Sequence, residues 1–167
     1  QKKGLDIAYG KPLGTSMSEF EGSVVEEDVQ FIANSLNLPS NRIAPTMLAF
    51  NEVAIQKRLG GEDKIDYRAK VAQQYLQISR GDLVLLDGPG DLSEGNLFDL
   101  SLLQVADIVD AAVLLVCRYK SLLSVEGLLS AKQRVGDRLI GVVINDIPIA
   151  EIETVDTVLR PRSESTR

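Results

Sequence analysis

The chain has 167 residues, enough for one domain with a sizeable core. Its 18 basic and 24 acidic residues leave a net charge of -6, so nothing in the overall balance draws it to nucleic acid or to an anionic membrane. Aromatics are 5% with no Trp, which argues against stacking platforms for single strands; His is absent, which excludes Ser-His and Cys-His catalysis and histidine-bound metals. Any metal would be held by oxygen ligands, as magnesium is.

Gln1-Lys2-Lys3-Gly4 reads as the last turn of a helix, basic residues followed by a glycine stop. A helix tail without a body implies that an upstream element precedes this sequence. Residues 5–9 (LDIAY) read as a short strand, and 10–15 (GKPLGT) as the loop at its carboxyl end. Residues 26–36 read as a helix with Val29, Ile32, Ala33 and Leu36 on one face and acids in the first turn. A short strand broken by Pro45 is expected within 43–50, while 51–62 is ambiguous and ends at Gly60-Gly61.

Residues 63–79 give a helix capped by Asp63, with Ile65, Ala69, Ala72 and Leu76 as its apolar face. Then comes the central stretch, 83–91 (LVLLDGPGD). Four apolar residues without alternation suit a strand buried on both faces, and Gly88-Pro89-Gly90 predicts a tight turn after it. Helix is expected over 96–109 and 121–135, with further apolar strands at 111–117 and 139–145. The lone Cys117 falls in one of them and reads as a buried core thiol. A final helix is expected at 150–159, before a polar tail at 161–167. No apolar run reaches the length of a membrane span and no signal peptide is visible, so the cytoplasm is the expected compartment.

Apolar strands alternating with helices predict an α/β fold: a parallel sheet with helices on both faces, in a single domain over 1–160. At the carboxyl edge of such a sheet ligands bind. Lys11 and Thr15 follow the first strand, Asp87 the central one, and Asn145 ends the last. A lysine in a Gly/Pro loop beside an acid suits a triphosphate with magnesium. Taken singly, the same residues read otherwise: Lys11 as a solvated loop lysine, Asp87 as a cap or turn residue, Asn145 as a turn residue.

The segments GKPLGT, LVLLDGPGD and GVVIN, in this order and spacing, resemble those of the dethiobiotin synthetase-like domains. The likeness is to the form at the N-terminus of long bacterial phosphotransacetylases and in stand-alone cyanobacterial relatives, and it covers nearly the whole chain. It implies a three-layer P-loop NTPase fold that takes ATP and Mg2+. By resemblance, Lys11 and Thr15 with Gly88 and Gly90 serve the nucleotide, Asn145 reads adenine, and Asp87 and Asp28 stand on the metal side. The departure is that no G-x-x-x-x-G-K-[ST] loop occurs in the sequence, so this chain is expected to bind ATP weakly or not at all. The resemblance implies a nucleotide-binding domain with a regulatory or interaction role, forming a dimer. An ATP-dependent synthetase and a purely structural dimer module are the alternatives. The Gly-Pro-Gly turn differs from the Gly-Ala-Gly-Gly pattern of true synthetases.

Overall fold

The computed structural model describes residues 4–20 and 22–164. The Gln1-Lys2-Lys3 helix tail and the last three residues of the polar tail lie outside the described residues. The chain comprises two compact units, Gln1–Ala111 and Ala112–Arg167.

In the first unit, β1 (Ile7–Gly10) leads into a loop with the two-residue strand β2 (Leu13–Gly14). A hairpin of β3 (Met17–Phe20) and β4 (Ser23–Glu26) runs into helix α1 (Glu27–Leu36). Short strands β5 (Ile43–Ala44) and β6 (Leu48–Ala49) flank Pro45, as the proline requires. Helix α2 (Glu52–Leu59) occupies the ambiguous stretch, started by the Asn51 side chain accepting from the Ala54 N–H at 2.9 Å. Then come α3 (Tyr67–Ile78), β7 (Leu83–Leu86) and α4 (Leu102–Ile108).

The sheet order is β5-β1-β7, all parallel, with Gly10 opposite both Ala44 and Leu86. Gly10 is needed there, because a Cβ would lie 2.7 Å from that of Ala44. β2 pairs in parallel with β6, so the loop after β1 is itself anchored. Leu13, fully buried, joins Tyr67, Val71, Phe98, Leu100, Val105 and Val109 in the main core. Phe98 meets Phe50 and Tyr67 edge to face, at centroid distances of 6.3 and 5.9 Å. Arg42 pins the start of β1 to the end of α3: its Nε donates to Asp6 Oδ1 at 2.8 Å and its Nη1 to the Ile78 carbonyl at 3.1 Å.

In the second unit, β8 (Val113–Arg118) pairs in parallel with β9 (Leu139–Asn145), joined by α5 (Ser124–Val135) and followed by α6 (Ile152–Glu164). Helix α6 continues past residue 159 through Glu164, so part of the expected polar tail is helical.

Several sequence expectations change. Asp66, not Asp63, caps α3, and Ile65 precedes the helix. Asp63 accepts from the Ile65 N–H and the Tyr67 hydroxyl, which holds residues 63–65 out of helical form. The buried face of α3 is Tyr67, Val71 and Ile78, while Leu76 is 70% exposed. β7 is not buried on both faces: Val84 and Leu86 pack inward, whereas Leu83 and Leu85 are 40 and 45% exposed on the alternate face. The turn after β7 forms at residues 91–95, where Gly95 adopts φ 85°, and not at Gly88-Pro89-Gly90. Asp99, at φ 57°, breaks the expected helix over 96–109 into a 3-10 turn (Asn96–Phe98) and α4. Gln104 Oε1 caps α4, accepting from the Ser101 N–H at 3.1 Å and its hydroxyl at 2.6 Å. Cys117 is half-buried, its thiol pKa raised by that burial.

Candidate functional site

The site forms where β1 ends. Tyr9, opposite Ile43 and Leu85 in β1, is buried; Lys11 follows it past the close-packed Gly10. Pro12 and Leu13 continue inward, and Leu13 in the core holds the backbone that carries Lys11. The Lys11 side chain is 3% exposed, so it is no solvated loop lysine. A buried ammonium requires counter-charges. Glu26 supplies one: its Oε1 lies 2.7 Å from Nζ and its side chain is 1% exposed. Asp28 supplies the second, accepting a hydrogen bond from Nζ through Oδ2. Asp87 Oδ2 stands 4.0 Å from Nζ and accepts from the Tyr9 hydroxyl at 3.4 Å. The Asp87 N–H donates to the Gly10 carbonyl at 2.8 Å, which extends the β1–β7 ladder by one bond and sets the carboxylate beside the lysine.

Glu26 also works on the backbone. Its Oε2 accepts from the Val29 N–H at 3.1 Å as the N-cap of α1, and its Oε1 accepts from the Ser16 N–H at 3.3 Å. The hairpin β3–β4 thus delivers one carboxylate that closes both the loop and the helix end. Gly14 makes room for it, since a Cβ there would meet Thr46 Cγ2 at 2.8 Å and Glu26 Cγ at 3.0 Å. The Thr46 hydroxyl oxygen is buried and has no hydrogen-bond partner among the described residues.

Burial opposes the Lys11 charge, but the hydrogen bonds to Asp28 and Glu26 outweigh it and raise its pKa. Asp87 is raised by burial, with Lys11 pulling the other way and Asp28 adding to the rise. Tyr9 is raised by burial and by the charge of Asp87, so it remains a phenol and a donor. One cation thus faces three carboxylates with a phenol at the side. The arrangement can present a positive group to an anion and acidic oxygens to a cation.

Of the residues singled out from sequence, Lys11, Asp28 and Asp87 meet here. Thr15 is exposed in the loop beyond β2. Gly88 and Gly90 follow Asp87; a Cβ on Gly88 would approach Leu102 Cδ1 to 2.8 Å, so that glycine serves packing against α4. Asn145 closes β9 in the second unit, where its carbonyl accepts from the Tyr119 N–H at 2.8 Å. Glu26 and Tyr9 are the site residues that sequence reasoning missed. Gly22, flanked by the β-prone Phe20 and Val24-Val25, was the available turn signal for the hairpin that brings Glu26 in. A shallow cavity of about 320 Å³ lies elsewhere in the first unit, between Ser40, Ile43, Gln74 and Ile78.

The mixed α/β architecture with parallel strands is that of a P-loop NTPase-like domain. A family model described as an AAA domain matches residues 3–163, and the chain belongs to that family. No solved structure matches it. Domains of this class generally bind ATP or another nucleotide with Mg2+. No helix among the described residues is long and apolar enough to cross a membrane.

Proposed function

We propose that the chain is an ATP-type nucleotide-binding domain with a regulatory or interaction role, like the N-terminal domain of long phosphotransacetylases, working as a cytoplasmic dimer. The observation that carries the reading is the buried Lys11, held by Glu26 with Asp87 at the neighbouring strand end. A lysine buried at such a cost, at the ligand edge of a parallel sheet, suits phosphate oxygens. In this reading Thr15, Gly88 and Gly90 border the phosphates.

Asp28 and Asp87 are the oxygens for a magnesium ion. Among the described residues no three acidic or thiol side chains group as a metal site. Two half-exposed carboxylates nonetheless fit magnesium, which keeps several waters and takes phosphate oxygens as further ligands. When bound, the ion would neutralise phosphate charge.

The test is Mg-ATP titrated into the chain, followed by the amide signals of Lys11, Asp28 and Gly88. Shifts should cluster there with a Kd of roughly millimolar order, because the chain holds no G-x-x-x-x-G-K-[ST] cradle. Asp87→Asn should lower the ratio of affinities with and without magnesium by about tenfold, the scale of one lost charged contact. Silent amides at all three positions would overturn the reading.

A further inference from the structure

The two carboxylates on Lys11 are not equivalent. Glu26 is sealed in: its side chain is 1% exposed, and both oxygens are engaged, by Lys11 and Ser16 on one and by Val29 on the other. Asp28 is 53% exposed, and Lys11 is the side chain it bonds among the described residues. Asp87, at 4.0 Å, is beyond hydrogen-bonding distance and is held by Tyr9. The ammonium therefore has one permanent partner behind it and one replaceable partner on the solvent side.

We propose that Asp28 is a built-in anion that covers Lys11 in the free chain and is displaced by the phosphoryl or carboxylate group of an incoming ligand. The proposal rests on the reading of Lys11 as the anion-binding lysine. Its physical content is an exchange. A half-exposed carboxylate loses little when it returns to water, whereas Glu26 leaving Lys11 would strand a buried charge. The ligand thus replaces Asp28 and never Glu26. Asp28 lies in the first turn of α1, directly after the Glu26 cap, so its release leaves the cap and the Lys11–Glu26 pair in place. Freed, the Asp28 carboxylate is available to a cation arriving with the anion, which makes the site favour an anion that brings its own counter-ion.

The experiment compares the full chain with Asp28→Asn and with Glu27→Gln, a neighbouring exposed acid that does not touch Lys11. Trinitrobenzenesulfonate, itself an anion, is the amine reagent; mass spectrometry of the Lys11 peptide reads the rate, with and without inorganic tripolyphosphate in metal-free buffer. Asp28→Asn should speed Lys11 modification roughly two- to fivefold, the range a half-exposed ion pair supports. Glu27→Gln should leave it unchanged. Equal rates in wild type and Asp28→Asn, or an equal acceleration by Glu27→Gln, would overturn the proposal. Tripolyphosphate distinguishes the two readings. If it protects Lys11 in the wild type while Asp28→Asn changes no rate, the anion site stands and the covering role falls. If Asp28→Asn speeds modification but tripolyphosphate protects neither chain, the covering role stands and the nucleotide reading falls.

Discussion

In the first unit Phe98 is fully buried between Phe50 and Tyr67, and Lys11 is closed in by acids; in the second, Val116 in the middle of β8 is 68% exposed and Ile140 in β9 is 71% exposed. Both clusters of buried apolar residues belong to the first unit. The second buries Val113, Tyr119, Val135 and Val155 singly, and Tyr119 adds a hydroxyl bond to Glu151 at 2.8 Å. The contrast separates two uses of the same parallel βαβ unit. Where three strands and several helices converge, a closed core forms and can hold a buried charge pair in register. Where two strands and two helices stand together, the strand sequence is equally apolar but much of it meets water. Burial follows the number of packed layers more than the hydrophobicity of the strand itself.

Three perturbations test that contrast, in falling order of effect. Phe98→Ala should remove the centre of the first core at a cost of about 3–5 kcal/mol. Urea unfolding of wild type and variant should show it, and a loss below about 1 kcal/mol would mean that the cluster is not the stabilising centre of its unit.

Lys11→Met should cost about 3 kcal/mol at neutral pH, because it leaves Glu26 buried without a counter-charge. The pH dependence has a definite sign. The pKa of Lys11 is raised in the fold, so its contribution is complete below the unfolded value of 10.5 and is lost as pH rises through the higher folded one. The stability gap between wild type and Lys11→Met should therefore narrow above that pH. Urea midpoints at neutral pH and near pH 11 measure it, and a gap that widened would place the stabilising charge elsewhere.

Val116→Thr in β8 should change stability by no more than about 0.5 kcal/mol, since the side chain is already mostly in water. A cost of about 2 kcal/mol in the same urea experiment would show that this face of β8 is covered in solution.

The α/β class and much of the element order were legible in the amino-acid pattern. β9 spans Leu139–Asn145 as its apolar run predicts, α1 covers Glu27–Leu36, and the break at Pro45 separates β5 from β6. These are local matters of periodicity, caps and proline geometry, which short segments encode. Placing Lys11 and Asp87 together was also legible, because parallel strands deliver their carboxyl ends to one edge. What surrounds that lysine, and which strand faces stay wet, follows from the packing of distant segments. Glu26 reads in sequence as one more acid in a first helical turn; only the β3–β4 pairing, Met17 opposite Glu26, folds it back over fifteen residues onto Lys11. Leu83 and Leu85 look as buried as Val84 and Leu86, yet exposure depends on what packs over each face of a strand, and that is set by distant segments. Local sequence specifies which element forms, while burial and charge pairing depend on which elements meet.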